Sequence, residues 1–417
     1  MDNGNIYNLA LLLQLEGNDV KFYNPDSRTR TILFKNIIKP APLFALNKNE
    51  ITLIGLRGKN RHYPQFKKVI GGNRVAERLE LSREDGLKLA KIIGFRIPST
   101  NTFSNIKDAI KFLSKQKETY VLKLDENYSS ETSLTPNNNE EIIKYLESLP
   151  KNIPNIILQK KIKGLEISTE AWFSEDGSIL NVNHTIEQKK LLDNNKGPTT
   201  GCACTDAVWN VPDWQGDRIG KYFLKLQPFI KKIKYIGPWD FNCIIEDKTG
   251  IPYFLEHTPA LGYSAIFAWI QLLLEDFSTV LRKLFENKPI TAREDKIGYA
   301  VRIWKHPYPL ELQNEKEHIK LFQDLTHGEI IGKESDLLPA CRNVFLFDVY
   351  RDKDNICIAG TDGIIAEIAE SDNLYNPRYN KWLSYLKYFK NSTLGYRQDV
   401  GSRFKRSLNK LKEYNLI

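Results

Sequence analysis

The chain is short of the residues that would tie it to several common chemistries. Its five cysteines form no CxxC pair and no His/Cys spacing suited to zinc, which predicts ordinary reduced thiols. Cys202 and Cys204 stand close together, but a CxC pair alone does not specify a metal. The six histidines are scattered, and no Ser/His/Asp or Cys/His arrangement points to a nucleophilic enzyme. No apolar run reaches the ~18–20 residues of a membrane span. The longest candidate, 264–274, runs straight into Glu275 and Asp276 and reads as part of a buried helix. The opening MDNGNIYNLALLLQLEG has neither a basic leader nor a small-residue cleavage site, so a cytoplasmic protein is expected. Internal repeats and low-complexity tracts are also missing.

What is present describes a globular protein of more than one core. A chain of 417 residues predicts two to four domains, and 41% hydrophobic with 27% charged residues is ordinary soluble composition. The net charge of +9 favours anionic partners such as nucleotides, phosphorylated metabolites or nucleic acid. Lys and Arg are spread out, however. The densest cluster, 403–412, carries Phe404, Leu408 and Leu411 at helical spacing, so a docked amphipathic helix is expected there rather than a nucleic-acid arm.

In order, residues 1–24 read as a turn at Gly4, a helix from Leu9 to Leu15, and a strand from Asp19 to Tyr23. That is the tail of a Rossmann-like unit without its first strand, and Gly4-Asn5-Ile6 does not complete GxGxxG. Strands are expected at 50–56 and 68–72. Ser82 is a good N-cap for a helix that Gly94 stops, and a second helix is expected over 105–115. In the strand YVLKLD (120–125), Lys123 sits among Val121, Leu122 and Leu124 and needs an anion or a route to water. Residues 126–139 read as a polar mobile loop, 140–148 as a helix, and 184–209 as a Gly-, Thr- and Asn-rich loop held against a ligand. Helices are expected at 217–232 and 264–286. A boundary is expected after 287–289, followed by strands and two closing helical stretches, 373–388 and 400–413.

Two stretches carry the chemistry. In 155–173, read as a strand pair, Leu165, Ile167, Thr169, Ala171 and Phe173 alternate with Glu166, Ser168, Glu170 and Trp172. In 240–258, two apolar runs flank a Gly-containing turn, a hairpin signal. If Glu246 faces Pro252, then Asp240, Asn242, Glu256 and Thr258 share one face. Oxygen donors on strands suit a hard cation such as Mg²⁺, and a solvated polar hairpin face remains the alternative.

At this point the residues resemble the ATP-grasp superfamily, and within it glycinamide ribonucleotide synthetase (phosphoribosylamine–glycine ligase). GNIYNLALLL, the run from Arg78 to Phe103, ILQKKIKGLEIS, EQKKLLDNNKGPTTG, FLEHTPALGY, IAGTDGIIAEIAE and YRQDVGSRF resemble that family's motifs in order along the chain. The resemblance implies an α/β (α+β) protein with an ATP-grasp fold, a small Rossmann-like N-terminal domain (1–75) and a mostly-β C-terminal domain (296–417). The ATP-grasp domain would span 76–295, with a lid subdomain at about 118–176.

The resemblance also implies an ATP-dependent carboxylate–amine ligase, ADP-forming, taking ATP and Mg²⁺ or Mn²⁺ with small-molecule acid and amine substrates. A monomer or homodimer without membrane attachment is expected. Lys123 matches the lysine on the nucleotide phosphates, and Arg83 stands where it could contact them. Gln159, Lys160, Lys161 and Ile162 match the hinge whose backbone reads adenine, and Glu166 the acid on the ribose hydroxyls. Asn242, Glu256 and Thr258 match metal ligands with Asp240 in support, while Lys189 and 193–201 match the segment over phosphate and acceptor.

The sequence departs from the pattern in several places. Thr258 stands for Asn in Glu-x-Asn and Ala260 for the following arginine. Glu187-Gln188-Lys189-Lys190 replaces Asp-His-Lys-Arg, and the lid contains no glycine. These changes imply that nucleotide and metal binding is retained with an altered substrate pair; a degenerate nucleotide-binding scaffold is the alternative.

Overall fold

The computed structural model describes residues 5–26, 28–55, 65–124, 133–134, 136–150, 153, 155–312 and 314–417. Helix α1 (Asn5–Leu15) buries Tyr7, Leu9, Ala10 and Leu12, more than one face, and stops before Gly17 at φ +85°. Strands β1 (Ile51–Leu53) and β2 (Lys68–Ile70) pair in parallel. Helix α2 (Arg74–Leu81) starts at Asn73, whose side chain accepts the N–H groups of Val75 and Ala76. Helix α3 (Arg83–Ile92) follows at once, with Ser82 Oγ accepting the Asp85 N–H at 3.3 Å.

Next come β3 (Thr100–Phe103), α4 (Ile106–Leu113), β4 (Tyr120–Lys123), β5 (Ser133–Leu134), α5 (Asn139–Ser148) and β6 (Ile156–Lys160). The asparagines Asn105 and Asn138 cap the two helices. The chain continues through β7 (Gly164–Phe173), β8 (Ile179–Leu192), β9 (Lys196–Asn210), α6 (Tyr222–Ile233), β10 (Gly237–Glu246) and β11 (Pro252–Thr258). Then follow α7 (Ala265–Ile270), α8 (Phe277–Glu286), β12 (Lys296–Trp304), α9 (Glu315–Thr326), β13 (Ile330–Lys333) and α10 (Glu334–Leu337). The last elements are β14 (Val344–Leu346), β15 (Val349–Asp352), β16 (Asn355–Ile358), β17 (Ile364–Asn373), β18 (Gly395–Tyr396) and α11 (Ser402–Glu413).

By internal contacts the chain divides into two units. One comprises Met1–Gly86, Ile167–Phe241 and His257–Ile417, the other Leu87–Glu166 and Asn242–Glu256. The smaller unit holds an antiparallel sheet in the order β3-β6-β4-β5. Leu122, Ile156 and Leu158 face Leu113 of α4 and Ile142 and Leu146 of α5 in a dry core, each such side chain contributing roughly 1.5–3 kcal/mol by burial. A nine-stranded sheet runs β11-β10-β7-β8-β9-β12-β17-β14, with β18 on β12. A second small sheet, β13-β16-β15, lies in the larger unit. No helix among the described residues is long and apolar enough to cross a membrane.

Several expectations are corrected. Residues 184–209 form a hairpin, not a loop: β8 and β9 pair antiparallel around Asp193–Asn195, where Asn194 and Asn195 take positive φ. The strands lack apolar alternation because Asn183, His184, Thr185, Gln188, Thr205 and Asp206 are all buried. Asp206 accepts the N–H groups of Gly401 and Arg403 at 2.8 Å each and so caps α11, whose Phe404 and Leu411 are buried as the amphipathic reading expects. The two strands of 155–173 do not pair with each other, since β6 lies between β3 and β4 while β7 lies between β10 and β8.

The helix expected over 264–286 breaks into α7 and α8. Leu272 and Leu274 bond backbone to backbone with Arg293 and Thr291, and the Glu16 carboxylate receives the N–H groups of Phe277 and Ser278 at 2.8 Å each, starting a new helix. The strand expected over Asp19–Tyr23 makes a single bridge, Phe22 to Pro40. The stretch 373–388 is the end of β17 followed by a 3₁₀ helix, Lys381–Tyr388.

Candidate functional site

The smaller unit gathers most of the residues singled out from the sequence. On β4, Lys123 is directly opposite Ile157, and Val121 is opposite Gln159. These four side chains lie on the sheet face away from α4 and α5, because Leu122 and Leu158 take the helix side. Lys123 is only 8% exposed and Gln159 3%, so a lysine head and an amide share a sheltered face as diagonal neighbours. Gln159 Nε2 donates to Thr100 Oγ1 at 3.2 Å.

Beyond Lys160 the chain leaves the sheet. The Lys160 N–H donates to the Ser99 carbonyl at 2.8 Å and the Lys161 N–H to the Thr119 carbonyl at 2.9 Å. Their side chains turn aside, Lys160 Nζ to Glu118 and Lys161 Nζ to the Pro136 carbonyl at 2.6 Å. The Glu118 bond raises the pKa of the half-buried Lys160. Both amides that define the start of the hinge are thus committed to backbone, and Ile162 is the next N–H along.

A close approach fixes where β7 begins. A Cβ on Gly164 would lie 1.9 Å from the Ile245 carbonyl oxygen, so only glycine lets these backbones meet. Two residues on, Glu166 is half-buried beside the buried Leu165 and Ile167.

On β10, Asp240 and Asn242 are half-buried and alternate with the fully buried Trp239, Phe241 and Cys243, so both project from one face. On β11, Glu256 is exposed and Thr258 half-buried, with His257 buried between them. Trp239 Nε1 donates to His257 Nδ1 at 3.1 Å, which leaves Nε2–H to donate to the Gly86 carbonyl at 3.2 Å. Burial depresses the His257 pKa to about 3, so the ring is neutral and ties β11 to β10 and to the start of α3. Nothing in the sequence marked His257; a histidine flanked by two candidate ligands is the signal that could have.

Arg83 is half-buried at the first position of α3. Lys189 is half-buried on β8, and its carbonyl receives Thr200 Oγ1 at 3.0 Å. Beside it, Gln188 is buried between Asp206 and Arg397. Arg397, 1% exposed, also holds Asp399 through two bonds of 2.9 Å and donates to the Lys190 carbonyl. The far end of the β8–β9 hairpin is therefore locked to the YRQDVGSRF segment by charge-assisted bonds. Arg83, Lys189, Asp240 and Thr258 belong to the larger unit; Lys123, Gln159, Lys160, Lys161, Ile162, Glu166, Asn242 and Glu256 belong to the smaller. The expected cover at 126–139 falls largely outside the described residues.

Thr169 Oγ1, the His184 ring and Asp217 also stand in nucleophile–base–acid order, at 2.9 and 3.2 Å. All three are closed off from solvent, so this set braces the core.

No group of three or more His, Cys, Asp or Glu that could hold a metal occurs among the described residues. The candidates Asp240, Asn242, Glu256 and Thr258 are all hard oxygen donors. That chemistry fits a magnesium ion that takes one or two protein oxygens and completes its shell with phosphate and water.

No family model matches the sequence. Solved structures do match. The phosphoribosylamine–glycine ligase of Thermotoga maritima is 18% identical with a TM-score of 0.68, over 94% of this chain and 96% of that one. The biotin carboxylase domain of Hydrogenobacter thermophilus 2-oxoglutarate carboxylase, solved with MgADP and bicarbonate, is 13% identical with a TM-score of 0.53, over 83% and 76%. Biotin carboxylase from Campylobacter jejuni, solved as a β,γ-ATP complex, is 13% identical with a TM-score of 0.50, over 79% and 70%. The chain has the ATP-grasp fold and resembles phosphoribosylamine–glycine ligase along nearly its whole length.

Proposed function

We propose that the protein is an ATP-dependent carboxylate–amine ligase working on a substrate pair altered from that of phosphoribosylamine–glycine ligase. The observation that carries this reading is Lys123. It is a buried lysine on the face of the β3-β6-β4-β5 sheet turned away from α4 and α5, diagonal to Gln159 and close to the strand end that leads to Ile162. Its place on the strand beside the hinge is that of the lysine that contacts nucleotide phosphates in the resembling family, and a lysine ammonium suits phosphate oxygens. With the Lys160 and Lys161 amides used internally, the Ile162 N–H would read the adenine edge and Glu166 would accept from the ribose hydroxyls.

In this reading a carboxylate oxygen attacks the γ-phosphorus in line, and ADP leaves. The amine then attacks the acyl carbon of the acylphosphate and expels inorganic phosphate, leaving an amide. Catalysis of this kind rests on positioning and charge neutralisation rather than on a nucleophilic side chain. Lys123 and Arg83 would hold the phosphates and Lys189 would face the acceptor side. Glu256 and Asn242, with Thr258 or Asp240, would hold magnesium, which when bound neutralises phosphate charge. We assign residues 1–75, 76–295 (lid about 118–176) and 296–417 to the three domains of such a ligase.

Thr258 and Ala260, where the resembling family carries Asn and Arg, favour a second reading, a nucleotide-binding scaffold without turnover. Incubation with MgATP and a panel of amino acids and amines, with ADP as readout, separates the two. ADP release that depends on one acid and one amine supports the ligase. Thermal stabilisation by MgATP with no ADP from any pair leaves the scaffold.

A further inference from the structure

Lys and Arg are spread along the sequence but not over the fold. Helix α6 with its flanking lysines (221–234) and α11 (402–413) carry ten lysines and arginines against one carboxylate, Glu413. That is the whole net charge of +9; in the rest of the chain cations and carboxylates are equal in number.

Both helices belong to the larger unit and cover one face of the nine-stranded sheet. Thr169 of β7, His184 of β8 and Trp209 of β9 are opposite one another across the strands and so share a face. Trp209 packs on Phe404 of α11, ring centroids 5.5 Å apart. His184 meets Asp217, whose carboxylate accepts the Ile219 and Gly220 N–H groups just ahead of α6. Trp172 and Val208, of the other parity, enter the core with Trp269 of α7. Arg218 Nε donates to the Tyr414 carbonyl at 2.7 Å, so the start of α6 lies beside the end of α11.

On α6, Phe223, Leu226 and Ile230 face the sheet. Opposite them, Lys221, Lys225 and Lys232 form an exposed stripe roughly 16 Å long. Arg406 and Lys412 are exposed on α11. Among the described residues none of these five makes an ion pair; Asp176 stands near Lys231 instead. Helix stability does not account for the stripe. The first turn of α6, where the macrodipole favours acidic side chains, has none, and Lys221 and Lys225 crowd one ring, 5.7 and 5.8 Å from the Tyr222 centroid.

We propose that this face docks duplex DNA through its phosphates, without regard to base sequence. Lysines serve phosphate as point charges. A single strand needs aromatic rings to stack on, and neither helix exposes one: Tyr222 and Phe229 are half-buried, Phe223 and Phe404 buried. Membrane attachment by charge needs apolar insertion as well, and Leu224 is the one large apolar side chain these helices expose. The centre of a protein interface is depleted of lysine. RNA is told from DNA by contacts to its 2′-hydroxyls, and Asn409 is the one exposed amide or hydroxyl on either helix. None of the five cations belongs to the nucleotide site assigned above, so the proposal stands apart from the ligase reading.

The test uses the full chain and a fluorescent duplex of mixed sequence, followed by anisotropy over a fourfold rise in salt. Five phosphate contacts predict an affinity loss of roughly 500-fold over that rise, and two contacts roughly tenfold. The variant Lys221→Gln/Lys225→Gln/Lys412→Gln is expected to show the smaller loss. The control Lys316→Gln/Lys320→Gln/Lys353→Gln, which removes as many exposed lysines elsewhere in the same unit, is expected to keep the larger. Both are expected to hold the melting temperature. Absence of saturable binding at the lowest salt overturns the proposal. So does an equal change in the two variants, which would describe net charge alone. Tighter binding of a single strand or of duplex RNA also overturns it, as does binding to phosphatidylserine vesicles with none to DNA.

Discussion

Arg397 Nη2 donates to Gln188 Oε1 at 2.9 Å although 209 positions separate them. The same guanidinium serves Asp399 and the Lys190 carbonyl, so β8 and the segment 397–399 are joined through one buried cation.

Arg397→Leu removes that cation and leaves buried acceptors unsatisfied. Loss of one partner from a buried charged pair costs about 3–5 kcal/mol. Urea denaturation is expected to show a loss of that size, with Arg397→Lys in between because it keeps the charge but not the fork. A loss under about 1 kcal/mol would remove the clasp from the account.

His257 sets a pH dependence. Burial holds its folded pKa at about 3 against the ordinary 6.5, despite the Gly86 carbonyl. The unfolded chain takes up a proton below pH 6.5 that the folded chain refuses until near pH 3. The stabilisation is therefore complete above pH 6.5 and drains away as pH falls toward 3, at about 1.4 kcal/mol per pH unit for one proton. Denaturation at pH 7 and pH 5 should show this slope, and His257→Gln should flatten it.

Asp217 acts at lower pH. Burial alone would raise its pKa, but the charge and hydrogen bond of His184 and the N–H groups of Gly220 and Ile219 bring it down to about 2. Its contribution, on the order of 2 kcal/mol, is present above about pH 4 and lost as pH falls through 2. Acid unfolding of Asp217→Asn should lack this last step.

Gly164→Ala forces a Cβ to 1.9 Å from the Ile245 carbonyl oxygen. The backbone must shift, at a cost of about 1–3 kcal/mol, and β7 shifts with it. A lower melting temperature together with weaker MgATP binding is expected; normal MgATP affinity would separate this contact from the hinge.

Lys123→Met keeps the stem of a side chain that is 8% exposed and removes its charge. On the ligase reading kcat/KM falls by about 10²-fold with the melting temperature held. A fall in stability with unchanged nucleotide affinity would return Lys123 to a structural role.

Elements with local signals were legible in the sequence. The Ser82 and Gly94 limits of α3, the amphipathic stripe of α11 and the alternation of β7 all rest on neighbours within a few residues. The β8–β9 hairpin was not, because its inward positions are polar and satisfied by distant groups such as Ser402 and Arg397. The break between α7 and α8 depends on Glu16, 261 positions away from Phe277. Of the candidate site, residue types and strand parity on β10 could be read directly. The buried bracing of His257 could not, since its partners Trp239 and Gly86 come from separate elements.

Asp206 receives the start of α11, Trp209 Nε1 donates to the Leu416 carbonyl at 2.7 Å, and Arg218 reaches the Tyr414 carbonyl. The longest hairpin of the sheet is therefore finished by residues made about two hundred positions later. During synthesis the buried polar groups of its strands wait for these partners, so the hairpin's completion is of high contact order.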